Sequence, residues 1–266
     1  MCSSDLYTLA PTITAGLTGT VSKGYDGTTS ATLAAGNYTV SGAVDGDAVT
    51  LNNSSSGTYD NRNAGTGKTV TASGVSIASA TNGAATVYGY QLASSSPSGA
   101  VGQITARAIT VSSQSGQSKT YGSDDALALK LAYSLTSGSL ASGDSLSGNM
   151  GRAAGEAVGS YALTAGTVGV SDGNGGSNYT VTFDGSTNPF QVTAKALSAT
   201  IANQTKVYGA DDPTLSGIGV SLSGVVNRTV SDINGNATLV NDTGNVSTTL
   251  ASLTRGIGRS EEHTSE

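Results

Sequence analysis

The residues with the most obvious chemical potential are few and widely spaced. Gly65-Thr66-Gly67-Lys68-Thr69 has the composition of a phosphate-binding loop, in which backbone N–H groups and a lysine hold a phosphate. Such a loop needs a glycine five positions before its second glycine, and Arg62 stands there. The surrounding alternation offers no helix whose N-terminus could face an anion, so a glycine turn leading into a strand over 68–72 is the expectation. Asp172-Gly173-Asn174-Gly175-Gly176 could offer oxygen ligands to calcium. It lacks both the alternating acidic positions and the distal glutamate of an EF-hand loop. Asp124-Asp125 and Asp211-Asp212 suggest paired carboxylates for acid–base work. Both pairs follow the same Tyr-Gly phrase, however, and a feature present in successive copies belongs more naturally to a scaffold turn.

Lys23, Lys119 and Lys206 each precede a tyrosine by two positions. Tyrosine presents a flat apolar face with a polar tip, so these sites could serve as glycan platforms. Their recurrence favours a structural role, with tyrosine in or near the core and lysine in solvent. Arg152 and Glu156 could pair as a surface ion pair contributing little, and Gly155 between them argues against a helix. A nucleophilic triad needs an imidazole, and His263 is the only histidine. Nothing marks a Ser–Lys pair.

Composition narrows the function classes further. The 266 residues include 37 Gly, 39 Ser and 36 Thr, with one Cys, one His and no Trp. Charged residues make up 11%, and the net charge is -6. This excludes a disulfide framework, a Cys/His zinc site, a coiled coil and a basic nucleic-acid surface. Low charge combined with regular apolar spacing argues for folded β structure over disorder. Acidic residues over 7–258 are 13 Asp and one Glu, a skew that favours turns over helices.

Both ends stand apart from the rest. Arg259-Ser260-Glu261-Glu262-His263-Thr264-Ser265-Glu266 resembles a translation of the adapter oligonucleotide used in short-read DNA sequencing. Met1-Cys2-Ser3-Ser4-Asp5-Leu6 resembles the same adapter read on its opposite strand. On this reading Cys2 and His263 are not protein chemistry, residues 7–258 carry a net charge of -3, and the chain is an internal fragment of something longer.

Repeats organise what lies between. Lys23-Gly24-Tyr25, Lys119-Thr120-Tyr121 and Lys206-Val207-Tyr208 place their tyrosines 96 and 87 residues apart. Ile104-Thr105-Ala106-Arg107-Ala108-Ile109 and Val192-Thr193-Ala194-Lys195-Ala196-Leu197 mark joints 88 residues apart. Modules of about 90 residues suit small β-sandwiches. Period-2 runs predict strands at Tyr179–Phe183, at Tyr88, Tyr90 and Leu92, at Ile109 and Val111, and at Tyr161 and Leu163. Leu127, Leu129, Leu131 and Tyr133 also alternate, so 125–133 reads as a strand despite its helical propensity. Turns fall at Asp45-Gly46-Asp47, Ser142-Gly143-Asp144, Asp172–Gly176 and Asn234-Gly235-Asn236.

These phrases resemble known repeat domains. Gly24-Tyr25-Asp26-Gly27-Thr28-Thr29, Ala43-Val44-Asp45-Gly46-Asp47 and Gly65–Val70 resemble the YDG domain. Lys119–Gly122, Ser139–Gly148, Arg152–Tyr161 and Asn178–Val181 resemble the MBG domain, a mostly bacterial immunoglobulin-like repeat. Tyr208-Gly209-Ala210-Asp211-Asp212-Pro213 opens like a further MBG copy, and agreement fades after Gly217. Such domains recur in long filamentous-haemagglutinin-like adhesins of Gram-negative bacteria. The resemblance implies an all-β chain of tandem immunoglobulin-like sandwiches and a surface or secreted location. It implies no catalytic site. Some pilus and adhesin sandwiches carry a Lys–Asn isopeptide cross-link assisted by an acidic residue, for which Glu156 is the one glutamate available.

The expected organisation is a YDG-like module over 7–106, an MBG-like sandwich over 107–194 and a truncated MBG-like module over 195–258, flanked by the artefactual 1–6 and 259–266. The last module, lacking strands, should be the least stable. The expected function is a non-enzymatic spacer of a bacterial adhesin, with a glycan- or host-surface-binding module as the alternative. No catalytic, metal or cofactor residue is assigned. The expected partners are neighbouring repeats, with host or environmental glycans as the alternative and no nucleic acid.

Overall fold

A computed structural model describes residues 10–207 and 209–254. The two terminal segments, with Cys2 and His263, and the third phrase tyrosine Tyr208 lie outside them. The fold is all-β, built from many small sheets as tandem small β-sandwich modules are; among the described residues helical turns are confined to short 3-10 segments. The chain divides into two compact units.

The first unit takes residues 10–112 with 134–149 and 167–184. Its largest sheet has the spatial order Val21–Gly24, Ser98–Thr105, Gly65–Ala72, Ser56–Tyr59, Ser30–Thr32. The first pair is parallel and the others antiparallel. Thr12–Leu17 forms a second sheet between Gln91–Leu92 and Tyr38–Ser41. Ala48–Asn52, Ser76–Asn82 and Ala85–Thr86 form a third. Alternation sorts the faces: Ile13 and Ala15 point inward, as do Val70 and Ala72. The unit also holds the sheet in which Arg107–Ser113 runs parallel to Tyr179–Asp184, burying Ile109 and Val111. The short ladder Ser145–Ser147 with Gly169–Ser171 completes it.

The second unit takes 113–133, 150–166 and the described residues of 185–254. Phe190–Thr193 lies between Ser118–Thr120 and Gly159–Tyr161, and Gly151–Arg152 pairs with Leu163–Thr164. Phe190 and Val192 are buried there. Beyond 195, the ladders among the described residues are two-stranded: Ser198–Ile201 with Val220–Ser223, and Asn227–Ser231 with Ala237–Asn241.

Two expected strands are corrected. Leu127–Leu131 is a 3-10 helix, and the strand starts only at Tyr133. Leu129 and Ala132 donate their N–H groups to Ala126 and Leu129 carbonyls, so backbone bonds close locally instead of along a ladder, and Leu127 is left exposed. Tyr88 lies outside any strand; pairing is confined to Gln91–Leu92 in that stretch.

Candidate functional site

The most developed side-chain chemistry lies in two joints, each where a phrase tyrosine meets a stretch of chain about 120 residues further on. In the first, Tyr25 is 2% exposed and its hydroxyl donates to Asp144 Oδ2 at 2.9 Å. Tyr179 donates to the same oxygen at 2.7 Å, and the two rings meet edge to face with centroids 5.4 Å apart. The Ala141 N–H donates to the Tyr179 hydroxyl at 2.7 Å, closing the corner. Gly27 lies over Ala141; a Cβ at position 27 would sit 3.1 Å from that methyl group.

The rest of the joint is a loop-on-loop contact. Arg62 donates to the Asp172 carbonyl at 3.0 Å and stands 3.7 Å from Asp144 Oδ1, facing a side chain only 1% exposed. The Ala64 N–H donates to Asn178 Oδ1 at 2.7 Å, and Asn178 Nδ2 donates to Asn63 Oδ1 at 3.3 Å. Burial, followed by the hydrogen bond to charged Asp144, pushes the Tyr25 hydroxyl up to about 12. The proton therefore stays on the tyrosine across the physiological range.

The second joint uses Tyr121, which packs on Val226, Val230 and Val240 and donates to Asp242 Oδ1 at 2.9 Å. Gly122 follows it with φ +76, and an added Cβ would lie 2.6 Å from Val226. Arg228 donates to Asp124 Oδ2 at 2.7 Å, and the Ser231 N–H donates to Asp124 Oδ1 at 2.8 Å. Asp125 Oδ2 accepts the Ile233 N–H at 2.8 Å. Asn234 Nδ2 donates to the Arg152 carbonyl at 3.1 Å.

Beneath this joint lies a buried cluster of two cations and two anions. Arg152 Nε donates to Asp125 Oδ2 at 2.6 Å and Nη2 to Glu156 Oε1 at 2.5 Å. Lys119 pairs with Asp125 at 2.8 Å and with Glu156. The guanidinium lies over the rings of Phe190 and Tyr161 at 5.1 and 5.4 Å. Burial alone would raise the Asp125 carboxyl. Hydrogen bonds from Arg152, Lys119 and the Ile233 amide overcome it and hold it below the ordinary carboxylate range.

Two expectations are corrected here. Lys119 is buried and not in solvent, and Lys23 is held by Asp26 and Thr28 beside the Tyr59 ring. Arg152 and Glu156 do pair, but in the interior, where four charges compensate one another.

The remaining sequence candidates find structural employment. Lys68 lies in the strand Gly65–Ala72, bonded to Asn61 and paired with Asp60 at 3.1 Å, so its ammonium faces its own loop. Asp172 accepts the N–H groups of Asn174, Gly176 and Asn178, which ties its carboxylate into its own turn. Asp124-Asp125 acts as a joint clamp, whereas Asp212 pairs with Lys206 at 2.6 Å on an exposed side chain. Lys119 faces carboxylates instead of an asparagine, and Asp125, kept ionised by Arg152, is a poor electrophile for cross-linking.

Sequence reasoning missed the Asp144 acceptor, Arg62 and Asn178. A signal existed: Gly46-Asp47-Ala48-Val49 and Gly143-Asp144-Ser145-Leu146 are one phrase in two modules.

Residues 8–97 match the model of the YDG domain, and residues 109–188 match the MBG domain of the YGX type. The chain thus carries one YDG domain followed by one MBG domain, both non-catalytic repeat domains. No curated protein and no solved structure matches.

Proposed function

We propose that the chain is a non-enzymatic spacer segment of a large bacterial cell-surface or secreted adhesin, in which each repeat is fastened to the next. The observation that carries this reading is the Tyr25–Asp144 joint, where a side chain of one domain is buried as part of the next. A spacer needs such joints, because a string of freely hinged modules does not hold a tip away from a cell. The burial of Tyr25, Tyr59, Tyr133 and Tyr179 supports it too, since aromatic rings held inside are not offered to sugars. On this proposal the location is extracellular or on the outer surface of a Gram-negative bacterium, and the partners are neighbouring repeats.

The second reading, a glycan- or host-surface-binding module, is favoured by Tyr88, which is 87% exposed. A glycan array probed with the full chain separates the two. The spacer reading expects a uniformly blank array; a glycan bound by the chain and lost in Tyr88→Ala overturns it.

A further inference from the structure

The corner that receives Tyr25 exists twice. In the MBG domain the Ala141 N–H donates to the Tyr179 hydroxyl, which donates to Asp144 Oδ2 at 2.7 Å, while the Asp144 N–H donates to the Ala141 carbonyl at 3.1 Å. In the YDG domain the Val44 N–H donates to the Tyr90 hydroxyl at 3.0 Å and Tyr90 donates to Asp47 Oδ2 at 2.7 Å. The Asp47 N–H donates to the Val44 carbonyl at 2.9 Å. Donors, acceptors and chain order agree at every step.

What differs is the cover. Ala141, beneath Gly27 and beside Tyr25, is 7% exposed, whereas Val44 is 44% exposed. Asp144 Oδ2 accepts two tyrosine hydroxyls, and Asp47 Oδ2 accepts one from its own domain. A carboxylate oxygen has two lone pairs, so Asp47 Oδ2 retains the acceptor site that Tyr25 fills on Asp144. Asp47 Oδ1 is engaged by Asn82 Nδ2 at 2.8 Å, which orients the carboxylate as Arg62 flanks Asp144 in the covered copy.

We propose that the Val44–Asp47–Tyr90 corner is a docking site for another repeat module of this type, received through its Lys-x-Tyr loop as Asp144 receives Tyr25. The tyrosine hydroxyl would donate to Asp47 Oδ2, and the loop glycine equivalent to Gly27 would lie over Val44. The inference rests on the duplicated corner and not on the spacer reading, which the glycan array tests separately.

The experiment places an additional copy of residues 10–106 directly before residue 10 of the full chain and follows amide hydrogen exchange. Val70, in the core strand of each copy, reports whether both copies fold, so a misfolded chimera is recognised by its rapid exchange there. Ala141 is the internal standard: its buried N–H is expected to exchange slowly and to be released by Tyr25→Phe in the copy adjoining the MBG domain. The expected result is that the Val44 N–H of the downstream YDG copy slows by about tenfold or more when the extra copy is present, and that Tyr25→Phe in the extra copy restores fast exchange. Asp47→Asn in the downstream copy should weaken the same protection. Unchanged Val44 exchange with both copies folded overturns the proposal, as does an Ala141 amide indifferent to Tyr25.

Discussion

Asp125 and Arg152 meet where neither can reach water, so each is tolerable only because the other is present. Arg152→Met should therefore destabilise the chain by about 3–5 kcal/mol in denaturant unfolding, because Asp125 and Glu156 lose their main counter-ion. The titration follows from the same contacts. Asp125, Asp172 and Asp232 are all held below the ordinary carboxylate range against the pull of burial, by Arg152 for the first, by backbone amides for the second, and by the Asn236 side chain with backbone amides for the third. A depressed pKa lends stability that is complete above the unfolded value of about 4 and is lost as pH falls through the folded one. Melting temperature should accordingly drop steeply below about pH 4. Tyr25 works in the opposite sense: its raised pKa of about 12 lends stability present below about pH 10 and lost between there and about pH 12. Burial also raises Tyr59, Tyr121, Tyr133 and Tyr179, so tyrosinate absorbance during alkaline titration should show several late-ionising groups, one fewer in Tyr25→Phe. Intact mass should equal the sum of the residues, with neither ammonia nor water lost, since the carboxylates that Lys119 pairs with are poor electrophiles.

At the scale of elements, glycines separate the two phrases. Gly122 is required twice over, by its positive φ and by Val226 closing on it. Gly122→Ala should cost about 1–3 kcal/mol. Gly24, the unusual member of Lys23-Gly24-Tyr25, lies in an edge-paired extended strand with the nearest atom 4.0 Å from an added Cβ. Gly24→Thr, which reproduces the Lys-Thr-Tyr of the second phrase, should be neutral or stabilising by up to about 1 kcal/mol. Alternation of apolar residues made strands legible at Tyr179–Asp184 and Arg107–Ser113. Alternation misled at 127–131, because three leucines at even spacing carry no record of which backbone groups find distant partners. The turns were legible through Asp and Gly, and Asp172 and Asp232 prove to be one device, each accepting N–H groups two and four residues ahead. Which of those aspartates also serves a joint was not legible. That depends on Arg62 and Tyr25 approaching from a different repeat, which local spacing cannot encode.

For the molecule as a whole, stability should run downhill along the chain. Past residue 195 the ladders are two-stranded, and Leu197, Ile201, Val207, Leu215, Leu239 and Leu253 are exposed, six of the ten large apolar side chains so placed among the described residues. Isolated two-stranded ladders are marginal in water. Limited proteolysis should therefore cut within 195–254 well before 10–106, and early cleavage of the first module would contradict this. The family resemblance was legible because its phrases are short, ordered and spaced by whole modules. The fastening between modules emerged only from the geometry, and it carries the functional reading. Backbone 15N relaxation of the full chain tests that fastening most directly. The account predicts one shared rotational correlation time for residues 10–106 and for the MBG strands 107–112 and 179–184, separating into two when Asp144→Ala removes the carboxylate that Tyr25 and Tyr179 share. Two distinct correlation times in the unaltered chain would contradict it.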